Sequence, residues 1–445
     1  MSDNGTLKTS IKAAASRTSM VPRRRLPEYV IDGLVPQIAV SPANAEEAAA
    51  VLAAAASCDA AVIPWGGGTG MAIGGIPQRY DVALDTTRLN AVVEHVAEDL
   101  TVVVQAGARL QELQDHLAHR GQYLPLDPAL PERATIGGIL ASNAGGPWRH
   151  AHGWPRDWLL GMKVVLSDGS IIKSGGRVVK NVAGYDMGKL FVGSFGTLGV
   201  IVEAAFKVAP LPAARATAVA FFASPATAAR AGLALHARNL RVESLELLNA
   251  EAAKAVLSDP ARGNFWCLLV AAAGNRGAVD RTLREMAGVC TGEGAAMVSL
   301  AADQAETAWQ QVRRFGAQAD HGEGVVLRAA LLPSQVAPFL ESAESMARGR
   351  GLSLHLDARL ALGTIYCRTP DGENSRESGQ ALVYELRALA QRLGGGLVVE
   401  ACPAALKAQV DVWGDGRPDF ALMTRVKDAL DPRRTMSPGR FLGGL

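Results

Sequence analysis

Residues 62–70 read Val62-Ile63-Pro64-Trp65-Gly66-Gly67-Gly68-Thr69-Gly70, a short apolar strand running straight into a glycine loop. Such a loop lets main-chain N–H groups converge on an anion, because no Cβ blocks close approach or positive φ. It is not the dinucleotide fingerprint: Gly68-x-Gly70 would need glycine at 73, where Ile73 stands. No Lys-Ser/Thr follows it, so it is not a nucleotide-triphosphate loop either. Taken alone, the loop is open between an anion cradle and a structural turn. Two more clusters tip the balance. Ala134-Thr135-Ile136-Gly137-Gly138 leads into Ala141-Ser142-Asn143-Ala144-Gly145-Gly146. The third cluster, Gly184-Tyr185-Asp186-Met187-Gly188-Lys189, leads into Gly193-Ser194-Phe195-Gly196-Thr197-Leu198-Gly199-Val200-Ile201. Each glycine carries a backbone-entropy cost on folding, so folding alone does not call for three such clusters. One extended cofactor lying across all three is the economical explanation.

Outward from the loop, the chain alternates between strand and helix every 10 to 20 residues. Pro36–Val40 reads as a strand. Asn44 caps an alanine-rich helix, with Glu47 at the capping-box spacing. Strands follow at 61–64, 82–84, 91–95 and 101–105. A helix over 108–119 carries Leu110, Leu113 and Leu117 on one face and stops at Gly121. Met162–Leu166 and Ile171–Lys173 flank Ser167-Asp168-Gly169-Ser170, a hairpin signal. Ala209-Pro210-Leu211-Pro212 marks a boundary, beyond which strand–helix–strand units suit an antiparallel sheet covered by helices. The reading is α+β: a tail over 1–30, a cofactor domain over 31–212, a second α+β domain with an antiparallel sheet over 213–400, and a terminal segment over 401–445. In that segment Trp413, Phe420, Leu422, Met423 and Phe441 call for a core, so the terminus is expected to return to the first domain.

The 445 residues carry 45 basic and 43 acidic side chains, a net charge of +2. That balance leaves no electrostatic case for nucleic-acid binding. The five cysteines are scattered without a C-x-x-C pair, which suits a reducing compartment and argues against a cluster or structural zinc held by this chain alone. No apolar run has the length of an export signal or a membrane span.

The strings PWGGGTG, DPALPERATIGGILASNAGGPWRHAHG, LSDGSIIKSGGRVVKNVAGYDMGKLFVGSFGTLGVI, VDVWG and LDPRRTMSPGRF together resemble the vanillyl-alcohol oxidase / p-cresol methylhydroxylase (PCMH-type) family. Within it they are most similar to the GlcE-type FAD-binding subunit of bacterial glycolate oxidase. The resemblance is strong over 36–212, weak through 213–400, and returns over the last 40 residues. It implies FAD, with the pyrophosphate on the main chain of Gly66, Gly67, Gly68, Thr69 and Gly70 beside Pro64. Thr135, Gly138, Ser142, Asn143 and Gly145 would line the flavin and diphosphate. Gly196, Gly199, Val200 and Ile201 would lie beside adenine and ribose. Neither histidine nor cysteine occurs between Gly66 and Ile76, so FAD should be held non-covalently.

Oxidation of a 2-hydroxy acid needs a base for the hydroxyl proton, a hydride acceptor, and a cation for the carboxylate. The resemblance implies a motif H-x-G-D-G-N-x-H in catalytic relatives, and no such string occurs here. The nearest, His355-Leu356-Asp357-Ala358, lacks its glycines, asparagine and second histidine. His150, His152 and His355 remain weak candidates, Arg328 is read as a salt bridge more than a carboxylate anchor, and no catalytic residue is assigned. His321-Gly322-Glu323-Gly324 reads as a polar turn before the strand of Arg328. The resemblance implies a cytoplasmic subunit working beside a catalytic flavoprotein subunit and an iron–sulfur subunit on glycolate or a related 2-hydroxy acid. Attachment at the inner face of the membrane through that complex is left open. The alternatives are a self-sufficient FAD-dependent D-2-hydroxy-acid dehydrogenase and a structural subunit without a redox role.

Overall fold

The computed structural model describes all residues except 1–3, 15–17, 177–185, 259–262, 264, 317–323, 371–375 and 415. The Gly184-Tyr185 start of the third cluster and the His321-Gly322-Glu323 part of the polar turn therefore lie outside the described residues. The chain divides into two units, each with its own core.

Unit 1 comprises residues 1–145, 154–211 and 415–445. Its first sheet orders Ser19–Met20, Ile38–Ser41, Val82–Asp85 and Val62–Trp65, the last three parallel to one another. The helix between the first two parallel strands starts where its cap predicts. Asn44 Oδ1 accepts from the Glu47 amide at 2.8 Å, and Glu47 reaches back to the Ala43 amide at 2.9 Å. The second sheet is antiparallel, ordered Val92–Val96, Thr101–Gln105, Val200–Lys207, Leu159–Val165 and Ile171–Gly175. Leu110, Leu113 and Leu117 of the Leu110–Ala118 helix are all buried beneath it, each burial stabilising by about 2 kcal/mol. The hairpin turn closes as its residues dictate, with Asp168 Oδ1 accepting from the Ser170 amide and Gly169 at φ +89°.

The expected 1–30 tail is corrected. Asn4–Ala14 is a helix whose Leu7 and Ile11 are fully buried in the core beneath the parallel sheet, against Val51 and Val82. A second correction concerns the terminus. Leu422 is 54% exposed, and the residues of 427–440 that are buried include Lys427, Asp431 and Arg440. Polar pairing, more than the apolar residues expected there, fixes this segment.

Unit 2 comprises residues 146–153 and 212–414. The sequence boundary at 212 sits within one residue of this division, whereas the short helix Arg149–His152 joins the later unit and the break before the terminus falls near 414 instead of 400. An eight-stranded antiparallel sheet orders Met297–Ser299, Ala214–Phe222, Trp266–Gly274, Val242–Leu248, His355–Arg359, Thr364–Arg368, Val326–Ala330 and Gly396–Ala401. Cross-strand partners share a face and alternate residues change face. Leu245, Leu247, Leu268, Val270, Leu327, Ala329, Leu356, Ala358, Ile365 and Cys367 thus line one face and pack under helices that include Pro225–Ala237 and Val336–Gly349. Ser224 and Asn275 cap two of the covering helices through amides three residues on. The other face is a different chemistry.

Candidate functional sites

In unit 1 the clusters that are far apart in sequence meet. A Cβ on Gly67 would stand 1.7 Å from the Arg133 carbonyl oxygen, and one on Gly66 2.3 Å from Thr135 Oγ1, so the first loop lies against the second cluster. The second touches the third through the Gly193 amide donating to Leu140 O at 2.9 Å and the Phe195 amide to Ala141 O at 2.8 Å. The third returns to the first, since Gly196, at φ +71°, leaves only 2.9 Å between an added Cβ and Pro64 Cγ. Several of these glycines are therefore explained by contact between the turns themselves.

Gly70 is different. No atom lies within 4 Å of an added Cβ, and its φ is not in the left-handed range, so neither packing nor strain demands glycine there. The side of Gly70 that a Cβ would fill is open space. A buried acceptor supports the same reading: Asn143, the left-handed C-cap of the Ile136–Ser142 helix at φ 51°, holds a buried Oδ1 with no hydrogen-bond donor. A native buried acceptor left this way calls for a partner. Open space beside a glycine loop and an unsatisfied acceptor fit a dinucleotide with amide or hydroxyl donors of its own.

The other expected contacts fall into two groups. Thr135 is 2% exposed and caps its helix through the Gly138 amide, and Ser142 Oγ donates to Gly138 O at 2.7 Å, so both side chains already serve the local fold. Val200 and Ile201 begin the Val200–Lys207 strand with buried side chains in two separate cores. Pro64 ends in contact with the Gly196 turn, and Gly199, at φ +158°, packs against Val164 and the Val165 carbonyl.

Sequence reasoning missed the residues that hold this arrangement. The buried Lys427 ammonium donates to Thr197 O at 2.7 Å, Met436 O at 2.8 Å and Asp431 at 2.7 Å. Asp431 also accepts from Met436 and Thr435. Burial works to raise the Asp431 carboxyl, but Lys427 and these amides outweigh it and hold it below its ordinary value. Ser437 Oγ donates to Gly196 O, and residues 435–437 run parallel beside Val62. The i,i+4 Lys–Asp spacing at the end of the Phe420–Leu430 helix was the available signal.

Unit 2 presents a second candidate. On the sheet face opposite its apolar core stand Ser244, Glu246, Asp357, Arg359, Tyr366 and Arg328, with Glu400 at the bulge of the edge strand. Ser244, Glu246, Asp357 and Arg359 are at most 5% exposed. Buried charge is expensive unless paired, so such a face marks a site or a specific network. Arg328 is ion-paired with Glu400, which raises its pKa further above the ordinary range. Arg359 lies 5.0 Å over the Tyr366 ring. The Arg149–His152 helix packs on the central strand of this sheet, and burial, then the charge of Arg359, push Arg149 down to about 9. Burial raises Asp357 to about 6 against the opposing pull of Arg359.

His150 stacks edge-on against His236 at 5.2 Å and is pushed down to about 4, mainly by burial, so it is neutral at pH 7. His152 sits 3.8 Å from Glu243, which also pairs with Arg215 at 3.2 Å. Arg328 is a salt bridge as expected, yet one standing on the charged face. Arg359 and Tyr366 stand seven residues apart around Gly363, on the hairpin that His355 opens. The turn glycine Gly363 sits at φ +63°, with an added Cβ 1.8 Å from Leu331 O.

Comparison with known proteins agrees with this division. A family model for an FAD binding domain matches residues 36–175, and one for the C-terminal domain of FAD linked oxidases matches residues 211–441. The glycolate oxidase subunit GlcD of Bacillus subtilis is 28% identical over 421 residues, 92% of this chain and 89% of that protein. A D-lactate dehydrogenase of Archaeoglobus fulgidus is 28% identical, covering 91% of each. Among solved structures, p-cresol methylhydroxylase with substrate bound superposes with a TM-score of 0.77 at 17% identity, over 98% of this chain and 96% of that one. The fold is thus of the PCMH type. The second model alone spans more than half of the chain, and with the glycine cradle in front of it the conclusion follows that this protein belongs to the FAD-linked oxidases and is an FAD-dependent oxidoreductase.

Proposed function

We propose that the chain is the FAD-binding subunit of a complex that oxidises glycolate or a related 2-hydroxy acid, beside a catalytic flavoprotein subunit and an iron–sulfur subunit. The observation that carries the reading is the meeting of three small-residue turns around an open Gly70, joined to a second unit whose sheet face holds guanidiniums. Relatives named as a glycolate oxidase subunit, D-lactate dehydrogenases and D-2-hydroxyglutarate dehydrogenases support a 2-hydroxy acid as the reductant.

Bound FAD would supply the hydride acceptor. The main chain of Gly66 to Gly70 would hold the pyrophosphate, and Asn143 Oδ1 would be available to accept from a donor of the non-covalently held cofactor. On the unit 2 face, Arg359, Arg149 and Arg328 are the cations suited to a carboxylate, Arg328 being also ion-paired with Glu400. A guanidinium fork matches a carboxylate in a fixed orientation. Water is kept from this face by burial, which strengthens every charge interaction there. Burial raises the Asp357 carboxyl to about 6, and Glu246 is buried on the same face beside it. The H-x-G-D-G-N-x-H string that the resemblance implies for catalytic relatives does not occur in this chain. This favours a chain that binds and relays over one that turns over alone.

The test is direct. The isolated chain, reconstituted with FAD, should show flavin absorbance near about 450 nm. Glycolate or D-lactate should not bleach it until partner subunits from a co-purified complex are added. Bleaching by the isolated chain would instead establish a self-sufficient dehydrogenase. Absence of flavin absorbance would overturn the proposal at its base.

A further inference from the structure

We propose that Arg440, near the C-terminus, is a positioning residue for the cofactor loop, orienting its peptide dipoles so that amides are turned toward the pyrophosphate. The inference rests on the assignment of the loop to FAD. It arises from a feature that no glycine pattern contains. The Arg440 side chain is 5% exposed and is surrounded by carbonyl oxygens of one loop. Its Nη1 donates to Gly75 O at 2.7 Å, and its Nη2 to Met71 O at 2.6 Å and to Ile73 O. Three alternate carbonyls of residues 71–75 therefore face one guanidinium.

In a trans peptide the C=O of one residue and the N–H of the next point in opposite directions, and the described residues contain no cis bond. The carbonyls of Met71, Ile73 and Gly75 turned toward Arg440 place the N–H groups of Ala72, Gly74 and Ile76 on the far side of the loop. Those three peptides thus turn their oxygens toward Arg440 and their N–H groups away from it, a polarity that suits an anion on the far side. The guanidinium makes this arrangement stable, because converging carbonyls would otherwise repel one another. It also adds its own charge behind the dipoles, so an anion on the amide side is attracted by both.

The rest of the contact fixes the register. The Gly75 amide donates to Arg440 O at 3.1 Å and the Gln78 amide to Pro438 O at 2.9 Å. Gly439, at φ +86°, lies so close that an added Cβ would meet the Gln78 amide and Ile76 carbonyl at 2.9 Å. Asp32, 8% exposed, stands 3.3 Å from Nη1 and offsets part of the charge. Burial lowers the Arg440 pKa, and Asp32 opposes that effect. Asp32 and the anion compete for the same field, which gives the idea a sign that a packing role lacks.

The experiment uses full-length apoprotein of wild type, Arg440→Lys, Arg440→Gln and Asp32→Asn. FAD affinity is read by quenching of flavin fluorescence at low and high salt, and apoprotein Tm by circular dichroism. Arg440→Gln should weaken FAD about 30-fold, the loss expected when hydrogen bonds to a charged group are removed. Arg440→Lys, which keeps the charge, should remain within about fivefold of wild type. Asp32→Asn should lower the Tm yet tighten FAD about threefold at low salt, with the gain shrinking at high salt. Binding by Arg440→Gln within about threefold of wild type, or by Arg440→Lys as weak as that of Arg440→Gln, overturns the inference. So does unchanged or weaker binding by Asp32→Asn. If Arg440→Gln fails to fold, the lysine and asparagine variants decide the matter. Wild-type protein that does not bind FAD would remove the cofactor itself, a separate failure.

Discussion

The two candidate sites are built by opposite means. In unit 1 the cradle is made of main chain: its contributors are glycines, a capped helix end and backbone carbonyls, and its charged groups, Lys427 and Arg440, lie buried behind it. In unit 2 the site is made of side chains: Arg328, Arg359, Tyr366, Glu246, Asp357 and Glu400 stand on the sheet, with Arg149 on a helix packed against it, and the central strands pair on both sides. Pyrophosphate recognition through amides asks only for closeness, so it selects residues without side chains. Recognition of a small acid asks for charge at set distances, so it selects long side chains on a rigid sheet. A cofactor common to many reactions suits the first device, and a variable substrate suits the second.

The largest expected effect breaks the comparison at the support of the cradle. Lys427→Met leaves Asp431 buried without its cation and should destabilise the protein by about 3–5 kcal/mol by chemical denaturation. Lys427→Met with Asp431→Asn should recover much of that loss; no recovery would mean the lysine acts through its hydrogen bonds to Thr197 and Met436. This pair also sets an acid limit. Because the folded-state Asp431 pKa is depressed, its contribution is full above the unfolded value and is lost as pH falls through the lower folded value.

Next in size, Arg359→Met should raise KM for the 2-hydroxy acid in the assembled complex by about 30-fold and leave FAD affinity unchanged. An equal loss of FAD would erase the distinction between the sites. Gly70→Ala should do the reverse. With nothing within 4 Å of its Cβ, it should leave apoprotein Tm within about 1 °C and weaken FAD about tenfold. Unaltered FAD binding would show that the open side of Gly70 is not where the ligand lies.

The smallest effect sharpens the charged face. Asp357 has a folded-state pKa raised to about 6, so its contribution to stability is full below its unfolded value and is lost as pH rises through 6. Asp357→Asn should therefore gain on the order of 1 kcal/mol relative to wild type between pH 4 and pH 8. A pH-independent difference between the two would show that the carboxyl ionises freely.

Much of unit 1 was legible. The Asn44 cap, the Leu110–Ala118 face and the Asp168 hairpin appear where local chemistry put them, because caps, turns and amphipathic periods act between residues a few positions apart. The terminal helix misled for the same reason. Leu422 and Phe420 look like core residues by type, yet the buried positions are Lys427, Asp431 and Arg440, whose partners lie 230 and 369 residues away at Thr197 and Met71. The 1–30 tail was misread because Leu7 and Ile11 are few, and their burial depends on a helix and sheet that come later in the chain.

The sequence by itself determined the division near residue 212 and the α+β class and pointed to a ligand at three small-residue turns, since glycine and capping signals are local and survive without coordinates. Only the tertiary structure decided that the turns touch, that Gly70 faces open space, and that Arg328, Asp357, Arg359 and Tyr366 share one face. Strand register sets which side chains meet, and it depends on pairing between segments far apart in the chain. A charged residue read in isolation carries no record of its register.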